Sequence, residues 1–404
     1  MPMFKEAPME RQQTLLGLVG YLFIGTAAVL IPSVMPAITA EFGAAGLTLA
    51  AIGLIFPARA LGGILGNVLA GIGSDLLGRP RLVWLAALLL AGALGLTAAS
   101  RPWLLLLLGF LLANGAQGAL STGINAMIAD ANLQAQTRAL NILHGVYGGG
   151  AALSPLAIGY LLDQGLSWRW SLAGTGLIWL IYAVSAYGLY RAAKPEARSA
   201  ASQKLDLGML RQRSFVALFL IAFIYNGVAY SLLGWIALMA QEQGNPSALF
   251  AVSFISLFYL ALTAGRFLCA AFAERLGYIT TLALLAAGMA LTYPLVFLNL
   301  GTLWMATGVF CSGLSLSGLF PTALAYGSRL YPAQTGTMTG TLNVAMTLGA
   351  MVPPLWTGVV AQQAGFPVAL GLNYLLVLPL GFLVWDLARQ QRAGGASRPP
   401  VTQA

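Results

Sequence analysis

The segment Gly71-Ile-Gly-Ser-Asp75-Leu-Leu-Gly78-Arg79-Pro-Arg81 places an acid, a glycine turn and two arginines between two long apolar runs, at about 46–73 and 82–99. Such a segment reads as a tight charged loop joining two helices that are themselves too apolar for water. A weaker copy lies about 199 residues further on, as Glu274-Arg275-Leu-Gly277. The same offset aligns Gly66 with Gly265, Pro155 with Pro354 and Gly159 with Gly358. The chain is therefore an internal repeat whose unit is several helices long.

Composition agrees. Of 404 residues, 59% are hydrophobic and only 8% are charged, and the mean hydropathy is +0.82. A soluble domain carries about a quarter charged residues, so lipid must solvate most of this chain. The 48 glycines suit close approach of membrane helices. Apolar runs fall at about 14–38, 46–73, 82–99, 103–130, 138–163, 168–190, 214–240, 248–273, 279–299, 302–328, 336–363 and 366–388. Each matches the roughly 20 residues that a bilayer requires.

Lys and Arg set the orientation. If the N-terminus is cytoplasmic, nearly all of them fall on the inside, and only Arg101 and Arg169 fall in outside loops. That bias predicts a multi-pass protein of the cell inner (plasma) membrane with both termini cytoplasmic. It also accounts for the net charge of +9 without nucleic acid. The organisation expected is an N-terminal six-helix half over 1–190, a cytoplasmic linker over 191–213, a C-terminal six-helix half over 214–390 and a disordered tail over 391–404. The N-terminus, with Lys5, Glu6, Glu10 and Arg11 before a long apolar run, reads as a retained first helix and not a cleaved signal.

Several classes of chemistry are excluded. The three lysines sit in no glycine-rich phosphate loop, and one histidine cannot form a zinc-protease pair. Cys269 and Cys311 lie in separate apolar runs and do not suggest a disulfide framework. No enzyme, cofactor or metal site is expected. A receptor would add a soluble domain, and none fits. The partners expected are a small-molecule substrate and membrane lipid, and the protein is expected to be a monomer.

Polar groups in lipid are costly and turn toward a bundle interior. In the fourth span Asn114, Gln117, Ser121 and Asn125 recur at helical spacing, as do Ser256, Tyr259, Thr263 and Arg266 in the eighth and Ser312, Ser315, Thr322 and Tyr326 in the tenth. Asn226, Tyr230 and Trp235 follow along the seventh. With Asn141 and Asn343 these make the candidate solute-binding set: Asn114, Gln117, Ser121, Asn125, Asn141, Asn226, Tyr230, Trp235, Tyr259, Arg266 and Asn343. Amides and hydroxyls bond a sugar's hydroxyls, while aromatic faces cover its C–H surface. The alternative is that these groups only tie helices together.

Arg59 and Arg266 lie within spans with no carboxylate at mid-membrane beside them. They either bond helix carbonyls or hold an anionic solute, which keeps an organic-anion carrier in view. His144, the single histidine, is either a packing residue or a proton carrier. Arg59 and His144 are the coupling candidates. Asp130 and Asp163 fall at span ends and are expected to be solvated. Gly145, Gly148, Gly149 and Ala152 give the fifth span a smooth packing face, and Pro155 can bend it.

The loop quoted above resembles the G-x-x-x-D-R-x-G-R-R signature of the major facilitator superfamily, with Leu76 in place of its usual Arg. The resemblance covers nearly the whole chain. It implies an all-α membrane protein with the major facilitator fold: 12 transmembrane helices in two parallel-repeat six-helix halves. It further implies that Gly71, Asp75, Gly78, Arg79, Arg81, Glu274 and Arg275 form a charge latch on the cytoplasmic side. A narrower stretch, Leu120-Ser-Thr-Gly-Ile-Asn125 followed by Arg138-Ala-Leu-Asn141-Ile-Leu-His144 and a glycine-rich run to Pro155, resembles the fucose permease and sodium–glucose branch. So do Arg59-Ala-Leu-Gly62-Gly-Ile-Leu-Gly66 and Gly318-Leu-Phe-Pro321-Thr. That branch implies a sugar. Where its members carry a helix-four acid this chain has Ser121, which weakens the coupling the branch implies: a facilitator, symport through His144 with H+ ahead of Na+, and a changed substrate all stay open. A carboxylate carrier using Arg59 and Arg266 and a proton-antiport drug exporter are the competing expectations.

Overall fold

The computed structural model describes residues 8–132, 136–192 and 207–396, and all regular structure among them is helical. The elements are α1 (Pro8–Ala44), α2 (Leu49–Ile52), α3 (Ile55–Leu77), α4 (Arg79–Ala99), α5 (Trp103–Ala131), α6 (Gln136–Asp163), α7 (Trp168–Ala192), a 3-10 turn (Leu207–Arg211), α8 (Arg213–Glu242), α9 (Ala248–Leu276), α10 (Tyr278–Thr292), α11 (Pro294–Phe297), α12 (Thr302–Leu316), α13 (Leu319–Leu330), a second 3-10 turn (Pro332–Gln334) and α14 (Thr335–Ala396).

Eleven helical stretches among the described residues are long and apolar enough to cross a bilayer. The last two expected spans appear as the single stretch α14, interrupted where Gly365 takes φ 81° and ψ 164°. The tail expected from 391 is helical through Ala396, and 397–404 lie outside the described residues, as does 193–206 of the expected linker. Three other spans are interrupted. The second has a short α2 before α3, the ninth breaks at Pro294, and the tenth breaks at Ser317–Gly318. Proline removes a backbone donor and clashes with the preceding turn, which accounts for the break at 294.

The described residues form two compact units, one of 1–202 with 233–260 and the other of 203–232 with 261–404. In the first, α3 lies along α5, α4 lies along α5 and α7, and α1 lies along α6 and α5. Glycine sets these spacings. A Cβ on Gly25 would strike the carbonyl of Tyr147, and one on Gly150 would strike that of Leu22, so α1 and α6 meet backbone to backbone. The tight position is Gly150 and not Gly149, which faces open space. Gly62 and Gly66 meet the carbonyls of Leu111 and Gly115 in the same way across α3 and α5. Without a hydrophobic drive between helices in lipid, such close contact is what holds them. Large apolar side chains remain exposed, Leu104, Leu291 and Leu303 among them at 77–78%, as a lipid-facing surface requires.

In the second unit α10 packs against α12, α13 and α14. Gly349 faces the carbonyl of Phe223, and Gly227 faces the ring of Pro353, which brings α8 onto α14. A buried polar knot joins the two arms of α14. Trp356 Nε1 donates to Asn373 Oδ1 at 2.6 Å, and Asn373 Nδ2 donates to Thr357 Oγ1 at 2.8 Å. Asn373 is fully buried. Asn373→Leu is expected to strand the indole N–H and lower stability by about 1–3 kcal/mol. A fall in melting temperature of detergent-solubilised protein checks this, and Asn373→Gln should recover part of the loss.

Candidate functional site

The repeat quoted from the sequence survives as matching backbone. Gly78 precedes α4 at φ 78°, and Gly277 precedes α10 at φ 84°. Only glycine adopts this region without strain, so each charged loop turns on its glycine. Arg79 forms an ion pair with Asp130 and donates to the carbonyl of Ala126, both in α5 of the same unit. Asp130, expected to be simply solvated, is thus engaged. Arg81 lies 5.6 Å from the ring centre of Tyr190. Gly71 faces open space, and Arg275 is at the end of α9. The side chains of Asp75, Asn141 and Glu274 lie outside the described residues.

The fourth-span stripe does lie on one face of α5, but its members divide between two neighbours. Asn114 turns toward α3, donating to the carbonyl of Arg59 at 2.8 Å and accepting from Arg59 Nε at 3.4 Å. The remaining three turn toward α1. Gln117 donates to the carbonyl of Ile24 at 3.5 Å, Ser121 Oγ lies 2.9 Å from Tyr21 Oη, and Asn125 donates to that same hydroxyl. Asn125 also bonds the carbonyl of Ser121 at 2.8 Å.

Tyr21 is the centre of this group and was missed in the sequence. It is 2% exposed. His144 of α6 meets its ring edge-on at 5.4 Å and 87°. Tyr147 lies 6.4 Å from Tyr21 and 6.4 Å from Tyr259, and Tyr259 belongs to the part of α9 that falls in the same unit. The result is a cluster of hydroxyl, amide and imidazole groups on α1, α5 and α6, walled by tyrosines. A phenol among apolar residues scores as membrane-compatible, so hydropathy hides it.

Arg59 has a physical explanation within the fold. Pro32 lies inside α1 and has no N–H, so the carbonyl four residues earlier, that of Ala28, loses its helical donor. Arg59 Nη2 points to that carbonyl at 3.4 Å. At 6% exposure it has the arrangement expected of an arginine that satisfies backbone. Trp235 is fully buried and packs on Phe56 at 5.5 Å.

In the second unit Asn226 donates to the carbonyl of Met346 at 2.9 Å. Tyr230 and Arg266 are half-buried and Asn343 is exposed. Tyr225, absent from the expected set, stacks on Phe320 at 5.9 Å and 21°. Asp386 was also missed. Its side chain is 6% exposed, and it holds Arg213 through two bonds, of 2.8 and 2.9 Å. Among the described residues no cluster of metal-ligating side chains exists.

A profile of the Major Facilitator Superfamily matches residues 17–354. The chain belongs to this superfamily. It is a multi-pass membrane transporter and not an enzyme. Two curated relatives are each 23% identical. One is the uncharacterized MFS-type transporter YfkL of Bacillus subtilis, aligned over 86% of this chain and 88% of its own length. The other is protein TsgA of Shigella flexneri, over 59% and 61%. Among solved structures, a mutant of the nucleoside transporter NupG superposes with TM-score 0.78 at 13% identity, covering 94% of this chain and 99% of that one. A bacterial homologue of the lysosomal transporter Spinster, inward-facing and unoccupied, gives 0.75 at 15% identity, covering 95% and 97%. At these identities the likeness is one of fold.

Proposed function

We propose that this superfamily member carries a small, uncharged, hydroxyl-rich solute, most simply a sugar, by alternating access. The observation that carries the reading is the Tyr21–Ser121–Asn125 cluster. Neutral donors and acceptors with tyrosine faces beside them suit a polyol better than an ion. The anion alternative loses Arg59 to the Ala28 carbonyl and then rests on Arg266 alone. The twelve-helix count follows if the break at Gly365 separates two crossings. The distribution of Lys and Arg supports cytoplasmic termini in an inner membrane.

His144, edge-on to Tyr21, is the proposed proton carrier if the carrier is coupled to H+. With Ser121 where the sugar-transporting branch that the sequence resembles carries an acid, a facilitator is the other form of the same reading. A nucleoside presents ribose hydroxyls of similar chemistry, so nucleosides belong in the same screen. The test is a thermal-shift screen of purified protein with sugars, nucleosides and monocarboxylates, followed by uptake into proteoliposomes. Asn125→Ala and Asn226→Ala are expected to lower uptake at least about tenfold, the loss of one to two hydrogen bonds at about 1.4 kcal/mol per factor of ten. Both variants should retain wild-type folded yield. Stabilisation by carboxylates alone, or full uptake by both variants, would defeat the reading.

A further inference from the structure

At the end of the bundle away from the Arg79 loop, α6 finishes at Asp163 and α9 begins at Ala248. Asp163 Oδ2 accepts from Ser247 Oγ at 2.6 Å and from the backbone N–H of Leu249 at 3.1 Å, while Oδ1 accepts from the N–H of Ala248 at 2.6 Å. The first N–H groups of a helix have no partner within it. Here a carboxylate 85 residues away in sequence supplies one. Ser247 accepts from the N–H of Phe250 at 3.1 Å, so side chains of two elements share the cap.

One helical turn before Asp163, Gly159 touches the same start of α9. A Cβ there would lie 2.7 Å from the Cα of Leu249. Deeper along the same pair of helices, Tyr147 meets Tyr259. On the other flank Phe56 of α3 meets Trp235 of α8 at 5.5 Å, and a Cβ on Gly234 would press into its ring. The α8–α9 hairpin, residues 233–260, thus meets α6 and α3 and groups with the first six long helices in one compact unit. The backbone turns at Gly244, with φ 96°.

We propose that Asp163 is a clasp that holds the α8–α9 hairpin against α6 and must let go whenever the transport path opens at this end of the protein. The chemistry fits a reversible fastening. A carboxylate at a helix start is favoured by charge-assisted bonds and by the helix dipole. Asp163 is exposed, so water can take over its bonds when the hairpin leaves, and the fastening is weak enough to cycle. Gly159 supplies the flat contact that lets the carboxylate reach. The proposal rests on the alternating-access reading, not on the identity of the solute.

Spin labels at Arg101→Cys and Gln243→Cys, both exposed positions, report the clasp without any solute. Cys269 and Cys311 are replaced by alanine in the background. The full-length protein is placed in lipid nanodiscs, and label–label distances are measured by pulsed electron resonance. Asp163→Ala is expected to enrich the longer-distance population at least about threefold over the parent. Ser247→Ala, which removes one of the three bonds, should enrich it by less. Superimposable distributions for parent and Asp163→Ala overturn the clasp. If Asp163→Ala yields no folded protein, Asp163→Asn and Ser247→Ala decide: unchanged distances in both overturn the proposal. A failed sugar screen with shifted distances defeats the sugar reading and leaves the clasp standing.

Discussion

Gly66→Ala is expected to cost the protein most of its folded yield, although it adds a single methyl group. That methyl would stand 2.6–2.7 Å from the carbonyl carbon and Cα of Gly115, with the carbonyl oxygen closer still. These are backbone atoms of α5 and cannot rotate away as a side chain would. Overfilling a packed interior costs about 1–3 kcal/mol where neighbours can give. Here the only relief is to push α3 from α5, which also opens the Gly62–Leu111 contact. The matching control is Gly92→Ala on α4, where a Cβ meets nothing within 4 Å. Alanine favours a helix over glycine by about 1 kcal/mol, so the control should melt at or slightly above the parent temperature. Equal melting curves for the two variants would remove backbone contact as the basis of the α3–α5 seam.

Arg213→Met should destabilise the second unit far more than Asp386→Asn, although both break the same ion pair. Burial is the reason. The Asp386 side chain is 6% exposed and that of Arg213 is 67% exposed. Removing the arginine leaves a buried carboxylate supported by Gln390, which donates at 2.8 Å. Loss of one partner from a buried pair costs about 3–5 kcal/mol, and the low end applies because Gln390 remains. Removing the acid instead leaves a guanidinium already largely in water, worth about 1 kcal/mol at most. The double variant Arg213→Met with Asp386→Leu is expected to recover most of the loss. Thermal unfolding in detergent reads all three, and equal shifts for the single variants without recovery in the double would contradict the account.

Much of the fold was legible because hydropathy and charge are summed over whole segments. The apolar runs map onto the long helices, and the glycine turns at 78 and 277 are visible as a repeat in the sequence itself. The breaks at Pro294 and Gly318 were not read, since hydropathy does not register a lost backbone bond. The site was less legible. Asn114, Gln117, Ser121 and Asn125 were found by their spacing on one helix. Their partners were not, because Tyr21 lies 100 residues from Ser121 and Arg59 lies 55 from Asn114. Asp130, Asp163 and Asp386 gain their partners at Arg79, Ser247 and Arg213, the last of them 173 residues distant. Residue-by-residue rules place an acid at a span end and say nothing about what it meets. The proline effect at Ala28 could have been read from Pro32, but which side chain would answer that carbonyl depended on how α3 packs against α1.

The helices α8 and α9 belong to neither compact unit alone, since each begins in one and finishes in the other. Neither contains a proline, and bending either in hydrocarbon would break hydrogen bonds that no water can replace. They therefore behave as stiff rods and not as tethers. A tilt imposed on one end arrives nearly undiminished at the other, about 45 Å away for a helix of 30 residues. In mechanical terms each helix is a lever, and a displacement at one of its ends is transmitted in angle as well as in position.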